Sequence, residues 1–170
     1  NFEEFSDYRK AIDYYQKGIA YALKTNNDTI KDWLHNNLGN VYAFRVKNPK
    51  KAIEEYKKSQ VYSLIVGDVI ANAYLNLNIA SAYFSDQAYT EGYPYLLKAQ
   101  EIFINENELE ANISINSLLG TYYTHLKQYD KGEAYFKKSL FYAQQDKPEL
   151  IETHAVEVYD DFSEHYKQRG

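Results

Sequence analysis

The sequence predicts an all-α protein built from stacked helix pairs, and three observations support this fold class. Motifs that open a helix begin at positions 11, 52, 92 and 132, which lie 41, 40 and 40 residues apart. A fixed period in this range is typical of an α-solenoid. Apolar residues recur at steps of three and four, as in amphipathic helices, and almost no segment alternates with the period of a strand. Proline and glycine are scarce, with 3 and 7 copies in 170 residues.

The composition narrows the classes of function. Hydrophobic residues make up 45% and charged residues 25% of the chain, close to the average for a folded domain. The formal net charge of −5 and the lack of a basic stripe argue against nucleic acid as a partner. The chain has no cysteine, which excludes disulfides, thiol nucleophiles and thiolate metal sites. No run of about 18 apolar residues occurs, so no membrane-spanning segment is predicted.

The periodicity predicts eight helices in order. Their approximate bounds are 6–25, 29–46, 49–66, 69–85, 89–105, 109–127, 129–145 and 148–168. The connections between them are short, and short connections make neighbouring helices antiparallel.

Polar clusters justify each boundary in turn. The three connections that join the first four predicted helices fall at 25–28, 47–49 and 67–68. Those between helices four and eight fall at 85–86, 105–107, 128 and 145–148. Asn, Asp and Ser side chains in such clusters accept hydrogen bonds from the unpaired backbone N–H groups of a helix start. Asn48 followed by Pro49 is typical of an N-cap and a proline in the first turn.

Two residue patterns recur with the period. One helix of each pair has a large apolar residue, a small residue and a tyrosine, at 38–42, 79–83 and 119–123, with a degenerate copy at 162–166. The partner helix has small, large and small residues, first at Ala52, Tyr56 and Ser59. The equivalent triplets are Gly92, Leu96 and Ala99, then Gly132, Phe136 and Ser139. Small and large residues that alternate in this way let two helices interlock.

These two patterns resemble the tetratricopeptide repeat (TPR) family, and the resemblance covers essentially the whole chain. It implies a right-handed superhelix (an α-solenoid) of antiparallel helix pairs over residues 1–170. The implied array has a half-repeat at 1–27, repeats at about 28–67, 68–107 and 108–147, and a terminal helix at 148–170. The period exceeds the commoner 34 residues, and no proline closes each repeat. In this the chain resembles the long-repeat subclass of cell-polarity adaptors, kinesin light chains and bacterial TPR signalling proteins.

The phase of the repeat at the two ends predicts a piece of a longer protein. Counting back nine residues from Ala11 places Phe2 near the end of a preceding helix. At the other end, residues 167–170 stand where the turn to a further helix is expected. Under the alternative interpretation, the polar and acidic last helix caps the array.

The resemblance implies that the first helix of each pair lines a concave groove for a protein or peptide. The groove positions are Trp33, Asn37, Asn40 and Phe44, then Tyr74, Asn78, Ser81 and Ser85, then Ser114, Leu118, Thr121 and His125, and last Glu157, Asp161, Glu164 and Gln168. Asn37, Asn40 and Asn78 are the sharpest candidates, because an amide both donates and accepts and so matches a peptide backbone of any sequence. Under the alternative, asparagine is simply tolerated on a solvated face.

Two further points concern the groove. Trp33, the only tryptophan, either anchors a partner or packs against the preceding helix. The carboxylate-clamp version of the family needs Lys and Arg in the groove, and the groove positions hold neither. That role is therefore not carried over to this chain.

The sequence offers no catalytic or metal-binding constellation. His35, His125, His154 and His165 lack metal-ligand spacing. No phosphate-binding loop, nucleophile elbow or HExxH motif occurs. No enzyme activity, metal or cofactor is therefore expected.

The predicted function is a protein- or peptide-binding scaffold, by resemblance the sensor or adaptor region of a larger bacterial signalling regulator. Two alternatives stay open: a peptide-pheromone receptor domain of a transcriptional regulator or phosphatase, and self-association into homo-oligomers through exposed end repeats. Neither nucleic acid nor a membrane is an expected partner of this segment. The compartment is undecided, with the cytoplasm favoured and the periplasm open for a membrane-bound sensor.

Overall fold

Helices account for almost all of the chain that is described. The computed structural model describes the backbone of residues 2–104, 108–145 and 148–170, and the side chains of 7–104, 108–145, 155–156 and 158–170. The helices are α1 (Phe2–Ala22), α2 (Asp28–Asn40), α3 (Pro49–Val66), α4 (Val69–Ser85), α5 (Tyr89–Phe103), α6 (Leu109–His125), α7 (Tyr129–Ala143) and α8 (Pro148–Arg169). A π-helical turn, Val41–Arg45, continues α2. The described residues contain no strand.

The all-α class and the packing of helices in succession, both predicted from the sequence, are confirmed. Two expectations were wrong. Phe2 lies in the first turn of α1 rather than at the end of a preceding helix, and the predicted helix 29–46 changes to π geometry at Val41. The predicted breaks at 105–107 and 146–147 lie outside the described residues.

The chain divides into two compact units, Asn1–Ala88 and Tyr89–Gly170. In the first unit α1 packs on α2, α2 on α3, and α3 on α4. In the second unit α5 packs on α6, α6 on α7, and α8 on both α6 and α7. The second unit buries one hydrophobic cluster of Ile113, Phe136, Ala143, Val158 and Phe162. A single array of repeats over residues 1–170 stays a prediction.

Asparagine and aspartate side chains cap three helices of the first unit. Asn27 Oδ1 accepts a hydrogen bond from the Ile30 N–H at 3.0 Å. Asn48 Oδ1 accepts one from the Lys51 N–H at 3.1 Å, with Pro49 in the first turn, as predicted. Asp68 Oδ1 accepts one from the Ala71 N–H at 2.9 Å. Each cap satisfies a donor that the start of a helix leaves unpaired.

Three turns repeat the 40-residue period in the backbone. Lys47, Gln87 and Lys127 have positive φ angles of 54°, 59° and 58°. The residue after each donates its N–H to the carbonyl oxygen of a preceding tyrosine, Tyr42, Tyr83 or Tyr123, at 2.8, 2.9 and 2.9 Å. The tyrosine lies five residues before Lys47, but four residues before Gln87 and Lys127. This bond satisfies a carbonyl group that the end of the helix leaves free. A residue in the left-handed conformation therefore follows the π-helical turn after α2, the end of α4 and the end of α6.

The predicted alternation of small and large residues is confirmed in two helix pairs. In α2–α3, a Cβ added to Gly39 would stand 2.6 Å from the ring of Tyr56. In α6–α7, a Cβ added to Gly120 would stand 2.7 Å from the ring of Phe136. Only glycine allows an aromatic ring to approach the backbone this closely. These contacts hold each pair of helices together.

Small serines add a hydrogen bond to the same two pairs. Ser59 Oγ on α3 donates to the Asp32 carbonyl oxygen on α2 at 3.0 Å and also contacts the Asp32 carboxylate. Ser139 Oγ on α7 donates to the Ile113 carbonyl oxygen on α6 at 2.7 Å. Both serines are fully buried, so each hydroxyl group requires a partner of this kind.

A buried histidine lies where α8 packs on α6 and α7. His165 is 1% exposed, and its Nδ1 stands 2.6 Å from Thr124 Oγ1. Thr124 Oγ1 donates to the Gly120 carbonyl oxygen at 2.8 Å, so the histidine must supply the proton of the first bond. The Nε2 atom of His165 has no hydrogen-bond partner among the described residues. Burial lowers the pKa of His165, Glu133 opposes this shift, and Arg169 adds to it.

Candidate functional site

A cavity of about 380 Å³ opens in the first unit beside the π-helical turn. It is lined by Ala43, Phe44, Lys47, Pro49, Tyr56, Asn78, Ser81, Ala82 and Ser85. The π turn and the connection after it form one side, α3 adds Pro49 and Tyr56, and α4 forms the other side. Its volume lies at the lower end of the range of ligand pockets, about 300–1,000 Å³.

The local backbone explains why Phe44 faces solvent. The Val46 N–H donates to the Val41 carbonyl oxygen at 3.0 Å, which is the wide hydrogen-bond spacing of a π turn. The left-handed residue Lys47 then ends the helix. Phe44 is 64% exposed in this segment.

Tyr56, one of the residues that line the cavity, makes close contacts with α2. The Tyr56 side chain is 1% exposed, and its hydroxyl group donates to Asn40 Oδ1 at 2.8 Å. Burial raises the pKa of Tyr56, so the phenol keeps the proton that it donates. The close contact between its ring and Gly39 fixes the ring position.

Polar groups on α4 and in the turn remain available to a ligand. Asn78, Ser81 and Ser85 follow one another at steps of three and four, so they share one face of α4. Ser85 Oγ donates to the Ser81 carbonyl oxygen at 3.0 Å. Within the described part of the chain, the Asn78 amide makes no hydrogen bond and the Lys47 ammonium group makes no ion pair. Asn78 is half-buried and Lys47 is exposed.

The structure brings together only some of the predicted groove residues. Phe44, Asn78, Ser81 and Ser85 line the cavity, whereas Trp33, Asn37, Asn40 and Tyr74 do not. Trp33 is 59% exposed, and its ring meets Tyr15 of α1 edge to face at 6.4 Å, so it packs against the preceding helix. Its role as an anchor for a partner stays a prediction. Tyr74 is partly buried on α4.

Two of the three asparagine candidates are engaged within the chain. The Asn37 amide nitrogen donates to the Trp33 carbonyl oxygen of its own helix at 2.7 Å. Asn40 Oδ1 holds the Tyr56 hydroxyl group. Asn78 is the candidate whose amide keeps both its donor and its acceptor capacity among the described contacts.

Several predicted groove positions of the second unit form contacts within that unit. Thr121 Oγ1 donates to the Ser117 carbonyl oxygen at 3.2 Å, and exposed His125 lies against the Tyr89 ring at 4.3 Å. Ser114 is exposed and Leu118 is partly buried. Asp161 Oδ2 accepts a hydrogen bond from Ser117 Oγ at 2.5 Å, and Glu164 contacts Lys167 and Gln168. The side chain of Glu157 lies outside the described residues.

Sequence reasoning missed five of the residues that line the cavity. Ala43, Lys47, Pro49 and Ala82 were assigned to no site, and Tyr56 was assigned only to helix packing. A signal for Lys47 was present, because it stands three residues after the predicted Phe44, in the turn that repeats at 87 and 127. Its left-handed backbone is what places it beside the cavity.

The helix pairs and the cavity define the class of the protein as a helical repeat protein. Residues 113–146, which span most of α6 and all of α7, match the tetratricopeptide repeat family. Such repeats generally mediate protein–protein binding and are typical of scaffolds rather than enzymes. A comparison with proteins of known function found no match to this chain.

Two further kinds of feature are absent from the part of the chain that the structure describes. No helix in the described part of the chain is long and apolar enough to cross a membrane. Among these residues, no group of three or more His, Asp or Glu side chains is placed to hold a metal ion.

Proposed function

We propose that the chain is a protein-interaction scaffold that binds an extended peptide segment in the cavity beside Phe44. The observation that carries this proposal is the Asn78 amide, which has no partner among the described residues and lies in the same cavity as an exposed phenylalanine. A peptide backbone offers one donor and one acceptor at each residue, and a single amide side chain can satisfy both. The tetratricopeptide repeat at 113–146 supports a binding function in general.

The proposed binding mode divides the work among three kinds of residue. Phe44, Ala43 and Ala82 supply apolar contact area for a side chain of the peptide, and Asn78 holds the backbone of the peptide. Trp33 adds an exposed aromatic ring on α2, the helix that also carries the predicted groove positions Asn37 and Asn40. Asn37 and Asn40 act through the structure of their own helix pair rather than by direct contact.

The wider context is also part of the proposal. The left-handed turns at 47, 87 and 127 support a period of 40 residues and therefore the long-repeat subclass. A role as the sensor or adaptor region of a bacterial signalling regulator follows from resemblance to that subclass. Tyr74, Thr121 and His125 keep their predicted binding role as positions within their own units.

A library of random twelve-residue peptides displayed on phage, selected against the immobilised chain, tests the proposal. Selected peptides are synthesised with a fluorescent label, and Kd is measured by fluorescence polarisation. Phe44→Ala and Asn78→Ala are each expected to weaken binding about tenfold, the effect of losing one well-placed contact. Circular dichroism checks that both variants stay helical.

Two matched controls separate the cavity from the rest of the surface. Phe141→Ala removes a phenylalanine of similar exposure, 60%, from α7, and Asn26→Ala removes an exposed asparagine from the turn before α2. Neither control is expected to change Kd. Peptides that bind the Phe44 and Asn78 variants as tightly as the unmodified chain contradict the proposed function.

A further inference from the structure

The geometry points to a preference for a peptide that carries a side-chain carboxylate next to an apolar residue. This inference rests on the proposed function, and it names the chemistry of the partner. Lys47 would pair with the carboxylate while the apolar side chain enters the cavity beside Phe44.

The charge of the cavity supports the inference. Among the described residues that line it, Lys47 carries the only charge, and no acidic side chain offsets it. Lys47 forms no ion pair in the described part of the chain. The chain as a whole has a net charge of −5, so an unpaired cation at an apolar cavity stands out against its background.

The backbone holds Lys47 in place at the edge of the cavity. Its φ angle of 54° is fixed by the hydrogen bond from the Asn48 N–H to the Tyr42 carbonyl oxygen at 2.8 Å. Asn48 is itself held, because its side chain caps α3. A cation on a fixed backbone position pays less entropy to form an ion pair than one on a mobile loop.

The neighbouring cationic side chains differ from Lys47 in their contacts or in their position relative to the cavity. Lys50 Nζ lies 4.0 Å from an Asp86 carboxylate oxygen, and Lys51 Nζ lies 5.3 Å from the centre of the Tyr42 ring. Arg45 is exposed and has no ion pair among the described residues, so it adds positive potential beside the cavity. Lys47 is therefore the cation best placed to meet a ligand in the cavity.

The equivalent turns show that the charge is not required by the fold. The turn at 87 has a neutral glutamine with almost the same φ angle. The turn at 127 has a lysine, but Asp130 and Arg169 lie around the same surface pocket and Arg169 already pairs with Asp130 at 2.9 Å. The combination of an unpaired lysine with an exposed phenylalanine belongs to the cavity of the first unit.

The exposure of Lys47 limits how strongly the cavity prefers an acidic peptide. Lys47 is exposed, and exposed ion pairs contribute about 0.2–1 kcal/mol, so the pair selects among peptides more than it adds affinity. Replacing the carboxylate of a bound peptide by an amide, Asp to Asn or Glu to Gln, is expected to weaken binding about threefold.

The peptides selected by display supply the probes for the test. Aspartate and glutamate are expected to be enriched beside the apolar residue. Lys47→Glu is expected to raise the Kd of the acidic peptides about tenfold, because repulsion between two carboxylates replaces the attraction to the lysine. The same substitution should change the Kd of the amide forms of these peptides by less than about twofold, and this result would exclude a general loss of folding. Lys127→Glu makes the same change in the same left-handed turn of the second unit and is expected to leave Kd unchanged.

The outcomes separate this inference from the proposed function. If selected peptides depend on Phe44 and Asn78 but bind Lys47→Glu unchanged, the acidic preference is overturned and the proposed function stands. If they do not depend on Phe44 or Asn78, the proposed function itself fails. If amidation of the peptide C-terminus abolishes binding while side-chain amides do not, the carboxylate that Lys47 recognises is terminal, and the inference is overturned.

Discussion

The α2–α3 pair of the first unit and the α6–α7 pair of the second unit have the same apolar packing but different polar contacts. Both place an aromatic ring against a glycine, Tyr56 on Gly39 and Phe136 on Gly120. In the first pair Asn40 accepts the Tyr56 hydroxyl proton. In the second pair threonine stands at the position of Asn40, and the phenylalanine has no hydroxyl group to satisfy.

The difference in polar contacts between the two helix pairs explains why Asn40 bonds to Tyr56. An amide and a phenol that occur together in one repeat, and are both replaced in the other, act as a hydrogen-bonded pair. The Asn40 Oδ1 atom is thus already used within the chain, while the role of Asn40 in holding a peptide stays a prediction. Asn78 gains weight for the opposite reason, since its amide has no partner among the described residues.

The shared glycine contact gives the largest expected effect. Gly39→Ala and Gly120→Ala should each lower the free energy of unfolding by about 2 kcal/mol, because the added methyl group overlaps an aromatic ring. Urea unfolding followed by circular dichroism measures both. Gly18→Ala is the control, since its Cβ would meet only the flexible end of Leu34 at 3.2 Å. Equal stability of all three variants would show that the glycines are not packing sites.

The buried histidine of the second unit gives a pH dependence. Because burial lowers the pKa of His165 in the folded state, the unfolded chain binds its proton first as the pH falls. The stability that depends on neutral His165 is therefore complete above the unfolded pKa of about 6.5, and it is lost as the pH falls through the lower folded pKa.

Two measurements check this pH dependence. Urea unfolding at pH 7.5 and 5.5 should show lower stability at pH 5.5, and the loss should shrink in His165→Asn. The NMR titration of the His165 imidazole should give an apparent pKa below 6.5. A value above 6.5 would mean that the interaction with Glu133 outweighs burial, and it would reverse the sign.

The polar difference between the two pairs is tested by making the first resemble the second. Tyr56→Phe should lower the free energy of unfolding by about 1 kcal/mol, because it leaves the Asn40 carbonyl oxygen without its donor. Adding Asn40→Thr should recover most of the loss, since threonine with phenylalanine is the combination found in α6–α7. A double-mutant cycle by urea unfolding measures the coupling. Strictly additive losses would show that the two residues act independently.

The left-handed turns give the smallest expected effect and the sharpest test of equivalence. Gln87→Gly in the first unit and Lys127→Gly in the second should each stabilise the fold by about 0.5 kcal/mol, because glycine avoids the strain of a positive φ angle but loses more chain entropy. Thermal unfolding by circular dichroism measures both changes. Opposite signs at the two sites would mean that the turns are not equivalent.

The sequence was sufficient for the helices and their packing because both depend on local spacing. The period, the small residues at 39 and 120, and the cap at Asn48 all leave patterns within a few residues. The π turn at 41–45 left none, because its geometry depends on which carbonyl group the Val46 N–H finds. The different contacts of Asn40 and Asn78 were equally hidden. They differ only in whether a hydroxyl group from another helix reaches the amide.

The candidate site was predicted in part for the same reason. Helical spacing identified Phe44, Asn78 and Ser81, which share the cavity. It did not identify Lys47, because a residue in a left-handed turn does not follow the period of a helix face.

The repeated turn also has a consequence for how such a chain could change its partners. Lysine and glutamine occupy the same backbone conformation at 47 and 87, so the joint between helices accepts different side chains without changing its path. Of these two residues, Lys47 lines the cavity. Under the proposed binding mode, one substitution at position 47 would alter recognition without changing the path of the backbone.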